Sequence, residues 1–158
     1  DGVIPITDPN MTRFNISLED GVEMVLYALE NAWGGELYVP KIPSYRITDV
    51  AEAIAPACRQ EVVGIRPGEK IHEEMITPSD SFSTYDIGKY YVILPLAGNW
   101  EITDYMKAFN AKKVKEGFHY NSGTNTEWLS VDDLRNLIQQ HVDPNFKIEE
   151  KYESNTVR

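Results

Sequence analysis

The chain has 158 residues, of which 42% are hydrophobic and 25% are charged. A chain of this length can bury a core of its own, so one domain is the default expectation. With 15 Lys and Arg against 25 Asp and Glu, the net charge is -10. Such a surface repels polyanions, which disfavours binding to nucleic acid or to anionic membranes. An anionic ligand therefore requires a local site that contains arginine.

The sequence favours a soluble protein of a reducing compartment. Its single cysteine, Cys58, has no partner for an internal disulfide. The first residues lack a signal-peptide pattern, and no apolar run reaches the roughly 18 residues that a membrane-spanning helix needs. We therefore expect a cytoplasmic location with no membrane partner. The chain opens in an apolar segment without an initiating methionine, which predicts a piece of a longer protein.

In the first part of the chain, extended segments flank a helix. Residues 1–8 are apolar and extended in character. Ser17 followed by Asp20 forms a capping-box pattern, and the apolar residues after it recur at helical spacing, which predicts a helix over 18–31. A short strand is predicted over 36–39.

The middle of the chain continues this mixed pattern. Thr48 is a candidate N-cap for a helix over 49–55, and residues 61–65 have strand character. Residues 66–69 form a turn that contains proline and glycine. A helical stretch is predicted to begin near Lys70.

The last third of the chain is less regular. A strand is predicted over 90–94, whereas 98–117 is weakly periodic and stays unassigned. Ser130 and Asp133 repeat the capping-box pattern ahead of a helix. Residues 144–158 are charged enough to predict a flexible tail. The pattern as a whole indicates an α/β fold.

The sequence contains no common cofactor or metal motif. No Gly-x-Gly-x-x-Gly follows a predicted strand, so the phosphate-binding turn of a dinucleotide fold is missing from these residues. His72, His119 and His141 show no metal-ligand spacing with one another or with Cys58. We expect no metal site.

Tyr85 and Lys89 match a Tyr-x-x-x-Lys spacing in which an ammonium group activates a catalytic tyrosine. This spacing brings the two side chains together only on a helix. Gly88 and the aromatic and β-branched residues at 90–93 instead favour a loop that leads into a strand. We therefore interpret the match as a coincidence.

In the turn that follows the strand predicted over 61–65, an arginine and a glutamate flank a proline and a glycine. The bend that Gly68 allows can present Arg66, Glu69 and backbone amides together. A guanidinium forms paired hydrogen bonds with phosphate oxygens, and a carboxylate accepts from ribose hydroxyls, so the turn suits a nucleoside diphosphate. The alternative is an exposed turn in which Arg66 and Glu69 pair with each other. Arg13 is a second candidate, or else a solvated loop arginine.

Six further motifs follow one another along most of the chain. They are PITD (5–8), MTRF (11–14), GVE (21–23), VPKIPS (39–44), IRPGEKIHE (65–73) and NTEWL (125–129). Together, and in this order, they resemble the inverting UDP-N-acetylglucosamine 4,6-dehydratases of pseudaminic acid biosynthesis, which are extended short-chain dehydrogenases/reductases. The resemblance runs from the first residues to about residue 138.

The resemblance implies an α/β fold in two halves, a Rossmann half that binds NADP and a C-terminal half that holds the UDP-sugar. The Rossmann half is absent here, and residues 1–143 are expected to be the UDP-sugar-binding C-terminal domain. In this family the sugar 4-hydroxyl is oxidised, water is eliminated across positions 5 and 6, and the hydride returns to position 6 with inversion at position 5. The catalytic residues belong upstream, so none is expected in this chain. UDP-N-acetylglucosamine and further copies of the chain, in a homo-oligomer, are the expected partners.

The resemblance also implies roles for individual residues. Arg13 and Arg66 match the two arginines that bind the diphosphate, and Glu69 matches the acid that holds the ribose. Backbone contacts with the uracil are implied for Pro5, Ile6 and Thr7.

Four other residues of the matching motifs are interpreted differently. His72 and Glu73 are expected to line a helix beside the site rather than to bind the ligand. Trp128 is expected to pack against the body of the domain. Lys41 is a possible contact of the ligand, but it is not among the assigned site residues.

Two alternatives remain open. The first is a dehydratase or epimerase of the same family that acts on a UDP-N-acetylhexosamine with retention at position 5. The second is a nucleotide-binding or assembly module that has no catalytic activity. The residues of the VPKIPS and IRPGE motifs resemble those of the inverting dehydratases, which favours that activity over the two alternatives.

Overall fold

The computed structural model describes residues 2–148, which contain four α-helices, one short 3-10 helix and ten short strands. In chain order they are β1 (Val3–Ile6), β2 (Thr12–Phe14), α1 (Leu18–Asn31), β3 (Leu37–Pro40), β4 (Ser44–Arg46), α2 (Ile47–Ile54), β5 (Arg59–Val62), β6 (Glu74–Ile76), the 3-10 helix (Asp80–Ser83), β7 (Thr84–Asp86), β8 (Tyr90–Ile93), α3 (Ile102–Phe109), β9 (Lys112–Lys113), β10 (Tyr120–Asn121) and α4 (Val131–His141).

The described residues divide into two compact units. Each unit combines helices with sheets, so each is of the α/β type that the sequence predicts. Unit 1 takes residues 2–15, 43–73 and 125–148, and unit 2 takes residues 16–42 and 74–124.

Unit 1 contains two two-stranded sheets. β1 pairs with β5 in parallel, with Ile6 opposite Val62. β2 pairs with β4 in antiparallel fashion, with Arg13 opposite Tyr45. α2 and α4 pack against each other, and the Arg135 guanidinium on α4 donates to backbone carbonyls of α2. The buried apolar residues of unit 1 are Ile6, Met11, Ala51, Ala53 and Leu134.

Unit 2 is built on an antiparallel sheet with the strand order β3-β8-β7-β9. Its core is aromatic: Tyr105 on α3 is completely buried, and its ring lies 4.4 Å from that of Phe109 and 5.1 Å from that of Trp100. Burial raises the pKa of the Tyr105 hydroxyl well above its ordinary value. The remaining buried members of this core are Tyr85, Val92, Leu94 and Ala111.

The first helix has the predicted bounds, but its apolar stripe is not buried. The capping box between Ser17 and Asp20 is present, and α1 begins at Leu18. Tyr27 attaches the helix to the sheet of unit 2, with its ring centroid 5.0 Å from that of Tyr90. The aliphatic side chains of the stripe are 50–80% exposed, and they are Leu18, Val22, Val25, Leu26 and Leu29.

Other local predictions are confirmed with small shifts of their ends. The Ser130 capping box starts α4, and β8 covers the strand predicted over 90–94. The strands predicted over 36–39 and 61–65 appear as β3 and β5. The unassigned stretch over 98–117 contains α3, which ends at Asn110 in the left-handed conformation, with φ 48°.

Two predictions for the middle of the chain are wrong. No helix begins near Lys70, because the Ile71 carbonyl accepts a hydrogen bond from the Thr12 amide at 2.9 Å and the chain passes through a bend at residues 71–72 into β6. This tertiary bond takes the carbonyl that a helix would use within itself. Thr48 does not cap α2, which starts one residue earlier after Arg46 without a side-chain cap.

The end of the chain is described only in part. α4 ends at His141, and the Phe146 amide donates to the Asp143 carbonyl at 2.9 Å in the turn that follows. Residues 149–158 of the predicted tail lie outside the described residues, so the boundary at residue 143 stays a prediction. Among the described residues, no helix combines the length and the apolar character that crossing a membrane requires.

Removing the cap of α4 should open its first turn. The Ser130 hydroxyl accepts from the Asp133 amide at 3.2 Å, and Ser130→Ala deletes this acceptor. Hydrogen–deuterium exchange in a peptide covering α4 should become about fivefold faster. Ser79→Ala is a matched control, because Ser79 precedes the 3-10 helix without a side-chain cap bond. Equal effects of the two substitutions would contradict the capping role.

Candidate functional site

The candidate ligand residues of unit 1 lie on segments that follow β1 and β5. These two strands run in parallel, and the Val63 amide extends their pairing by donating to the Ile6 carbonyl at 2.8 Å. Parallel strands end at the same edge of a sheet, where α/β proteins commonly bind ligands. We call residues 7–11 and 63–71 the β1–β5 edge.

The turn that contains Arg66 is closed by Glu69. The Glu69 carboxylate accepts from the Arg66 amide at 3.0 Å, and the Glu69 amide donates to the Arg66 carbonyl at 3.1 Å. Gly68 has φ 86°, a conformation that favours glycine. The Arg66 side chain is exposed, and within the described part of the chain its guanidinium makes no ion pair. Glu69 thus binds the backbone of Arg66 and leaves the guanidinium accessible.

The guanidinium of Arg13 on β2, unlike that of Arg66, is bonded to several neighbouring groups. Its Nη1 donates to the carbonyls of Thr12 at 2.7 Å and of Ile71 at 3.2 Å. Its Nη2 lies 3.1 Å from the Met11 sulfur, and its Nε lies 3.4 Å from a Glu73 carboxylate oxygen. The Arg13 side chain is 22% exposed. It is therefore not a freely solvated loop residue.

Three further residues surround Arg13, of which the sequence predicts His72 and Glu73 beside the site but does not single out Tyr45. Glu73 pairs with Arg13, and His72 Nδ1 lies 2.8 Å from the hydroxyl of the buried Thr12. Tyr45 lies opposite Arg13 on the paired strand. Burial raises the pKa of Tyr45, the Arg13 charge opposes this shift, and the Glu73 charge adds to it. His72 lies in a bend and Glu73 directly precedes β6, so the helix expected there is wrong.

The β1 residues expected to border the uracil differ in accessibility. Ile6 is 2% exposed, and its carbonyl is already bonded to the Val63 amide. Pro5 is exposed and Thr7 is half-buried. Backbone contacts with a ligand are therefore easiest at Pro5 and Thr7, and they stay a prediction.

Lys41 and Trp128 lie in other surroundings. Lys41 belongs to unit 2, where its Nζ lies 2.7 Å from Asp86 and 4.5 Å from the centre of the Tyr91 ring. Burial acts to raise the pKa of Asp86, but the hydrogen bond and charge of Lys41 outweigh it and lower the pKa. Trp128 is half-buried in unit 1, donates to the Asn125 carbonyl at 2.8 Å and stacks under Arg46.

The sequence predicts that Tyr85 and Lys89 do not share a helical turn, and the structure confirms this. Tyr85 lies on β7 with its side chain in the core of unit 2, 6% exposed. Lys89 follows Gly88, which has φ 91°, and its Nζ pairs with Glu23 at 2.6 Å. The spacing therefore does not form a catalytic pair here.

The part of the chain that the structure describes offers no metal centre. No group of three or more histidine, cysteine, aspartate or glutamate side chains within residues 2–148 is arranged to hold a metal ion.

Comparison with known families assigns most of the chain. A family model described as "Polysaccharide biosynthesis protein" matches residues 1–95. The chain belongs to this family. The matched region contains the β1–β5 edge, with Arg66 and Glu69, and also Arg13 on β2.

Curated relatives agree with the resemblance seen in the motifs. The chain is 45% and 47% identical, over 142 and 140 residues, to two UDP-N-acetylglucosamine 4,6-dehydratases (inverting) from Campylobacter jejuni strains. It is 36% identical to a UDP-glucose 4-epimerase from Rickettsia felis. These alignments cover 85% of this chain but only 40–42% of each relative. The resemblance to the inverting dehydratases is confirmed, and the chain spans about two-fifths of their length.

A solved structure confirms the fold class. The crystal structure of Pen from Bacillus thuringiensis matches 89% of this chain with a TM-score of 0.70 and 29% sequence identity. The match covers 42% of the Pen chain. The chain thus has the α/β fold of part of an extended short-chain dehydrogenase/reductase.

Changing the Tyr85 and Lys89 pair should leave catalysis by the full-length protein intact. Tyr85→Phe removes only a hydroxyl, and Lys89→Gln removes an exposed ammonium that pairs with Glu23. Turnover should stay within about twofold of wild type, since neither group acts in proton transfer. A genuine acid–base pair would contribute about a hundredfold or more. A loss of that size in both folded variants would return the pair to the active site.

Proposed function

We propose that the chain is the UDP-sugar-binding part of a UDP-N-acetylglucosamine 4,6-dehydratase of polysaccharide biosynthesis. The observation that carries this proposal is the 45–47% identity to the two inverting dehydratases from Campylobacter jejuni. The family match over residues 1–95 supports it. The chain would hold the nucleotide, and the chemistry would take place with the remainder of the full-length protein.

The β1–β5 edge supports a nucleoside diphosphate as the ligand. A chain of net charge -10 can bind a diphosphate only where positively charged groups are concentrated. Arg66 presents an accessible guanidinium beside the turn, and Arg13 is tied to the same segment through Ile71. We assign the diphosphate to Arg13 and Arg66, the ribose to Glu69, and the uracil to the backbone at Pro5, Ile6 and Thr7.

Several finer features belong to the same proposal. The full-length protein would use NADP bound outside this chain, invert position 5 of the sugar and supply a pseudaminic acid pathway. It would act in the cytoplasm as a homo-oligomer, without nucleic acid or membrane partners. The similarity to the Campylobacter dehydratases supports the cofactor, the inversion and the pathway. The acidic net charge supports the exclusion of nucleic acid.

The second candidate is an epimerase or a retaining dehydratase of the same family. The 36% identity to the UDP-glucose 4-epimerase of Rickettsia felis favours this alternative. Product analysis of the full-length protein distinguishes them, because an epimerase releases no water from the sugar, and the inverting and retaining dehydratases give opposite configurations at position 5. A nucleotide-binding module without catalysis would bind UDP and form no product.

Arg66→Ala tests the proposed ligand site in the full-length protein. Losing one charge-assisted set of contacts should weaken UDP binding by about tenfold to a hundredfold, measured by calorimetric titration. Folding should be unaffected, because the side chain is exposed. Arg59→Ala is the control, since Arg59 is an exposed arginine of β5 that pairs with Glu61. Unchanged UDP affinity of the Arg66 variant would contradict the assignment of Arg66 to the diphosphate.

The isolated 158-residue chain should not convert UDP-N-acetylglucosamine. It contains neither a phosphate-binding glycine motif nor, in its described part, a Tyr-x-x-x-Lys pair on one helix. Incubation with substrate and NADP, followed by mass spectrometry, should detect no dehydrated sugar nucleotide. Product formed by the pure chain would place catalytic groups within these residues.

A further inference from the structure

Glu73 is an acidic residue of unit 1 whose carboxylate pairs with the guanidinium of a candidate ligand residue. Its carboxylate lies 3.4 Å from Nε of Arg13, and the two side chains are 45% and 22% exposed. The other face of the Arg13 guanidinium is fixed by carbonyls: Nη1 donates to Thr12 and to Ile71. The guanidinium is thus restrained from two directions.

We propose that Glu73 is a positioning residue, which orients the Arg13 guanidinium so that Arg13 and Arg66 present a prearranged pair of charges to a diphosphate. This inference rests on the proposed function, because it concerns the same ligand site. Glu73 itself is not expected to touch the ligand, since a carboxylate and a phosphate repel each other.

The value of such a contact lies in orientation more than in stability. A half-exposed ion pair contributes little to the free energy of unfolding. An arginine side chain, however, has many accessible rotamers, and a ligand that must order the side chain loses affinity. Holding Arg13 in one rotamer before binding removes part of this cost.

The backbone of the segment is anchored independently of Glu73. The Val63 amide donates to Ile6 at 2.8 Å at its start, and the Ile71 carbonyl accepts from Thr12 at 2.9 Å near its end. The turn with Arg66 lies between these two bonds. Removing the Glu73 charge should therefore release the Arg13 guanidinium and leave the turn with Arg66 and Glu69 in place.

Tyr45 supports the inference from the opposite strand. It is paired with Arg13 across β2 and β4, so the two side chains project from the same face of the ribbon. The charges of Arg13 and Glu73 both act on its hydroxyl, in opposite directions. The three groups therefore lie within electrostatic reach of one another, and the carboxylate balances a partly buried cation.

The test compares two ligands in the full-length protein, UDP and uridine. Glu73→Gln keeps the size of the side chain and removes its charge. Binding of UDP, measured by calorimetry, should weaken by about threefold to tenfold. Binding of uridine, measured by ligand-observed NMR, should stay unchanged, because uridine has no diphosphate for Arg13 to contact. Glu61→Gln, which removes the partner of Arg59 on β5, is the matched control and should change neither affinity.

Each other outcome overturns the inference. Equal weakening of UDP and uridine would mean that Glu73 supports the whole segment, and unchanged UDP binding would mean that it does not position Arg13. Tighter UDP binding would mean that Glu73 competes with the ligand. If Glu73→Gln does not fold, Glu73→Asp is compared in the same way, with a smaller expected loss for UDP alone.

A double-mutant cycle separates this inference from the proposed function. In an Arg13→Ala background, Glu73→Gln should cause no further loss of UDP affinity, because its effect passes through Arg13. If Arg66→Ala weakens UDP binding but Glu73→Gln does not, the ligand site stands and the positioning role fails. If neither Arg66→Ala nor Arg13→Ala changes UDP binding, the proposed function fails at its ligand site.

Discussion

Parallel pairing between β1 and β5 is the constraint on which the candidate site depends. Strands that run in the same direction end at the same edge, so segments far apart in the sequence emerge side by side. Each of these strands has only four residues, which is too little for an independent sheet. Burial of Ile6 and packing of α2 on β1 hold the pair in place. The bond between Thr12 and Ile71 then joins the edge to the second sheet of unit 1.

The two arginines of the edge illustrate two ways in which an acidic chain can keep positive charge at a site. Arg66 is exposed beside a turn whose backbone is closed by Glu69, so its guanidinium stays accessible. Arg13 is largely covered and bonded to carbonyls and a carboxylate. A covered cation needs such partners because it has lost part of its hydration. Arg66 thus offers an adaptable guanidinium, and Arg13 an oriented one that is bonded to the Ile71 carbonyl of the segment containing Arg66.

Unit 2 shows why a motif has chemical meaning only on the right backbone. Tyr85 and Lys89 have the spacing of a catalytic pair, yet the strand and Gly88 direct one into the core and the other to Glu23. The core around Tyr105 is built of rings that meet edge to face, tilted or stacked, which stabilises the unit through packing. The aliphatic stripe of α1 remains exposed on this unit, so its helical periodicity predicted the helix but not its burial.

The sequence by itself determined the features that depend on a few neighbouring residues: the two capping boxes, the turn with Gly68, the α/β character and the motifs that define the family. These features follow from local hydrogen bonds and backbone preferences, which short patterns encode. Only the tertiary structure decided that residues 70–73 are not helical and that Glu73 meets Arg13. The Ile71 carbonyl accepts from the Arg13 side chain, 58 positions away in the sequence, and from the Thr12 amide. The backbone bond from Thr12 outweighs the weak local preference for a helix.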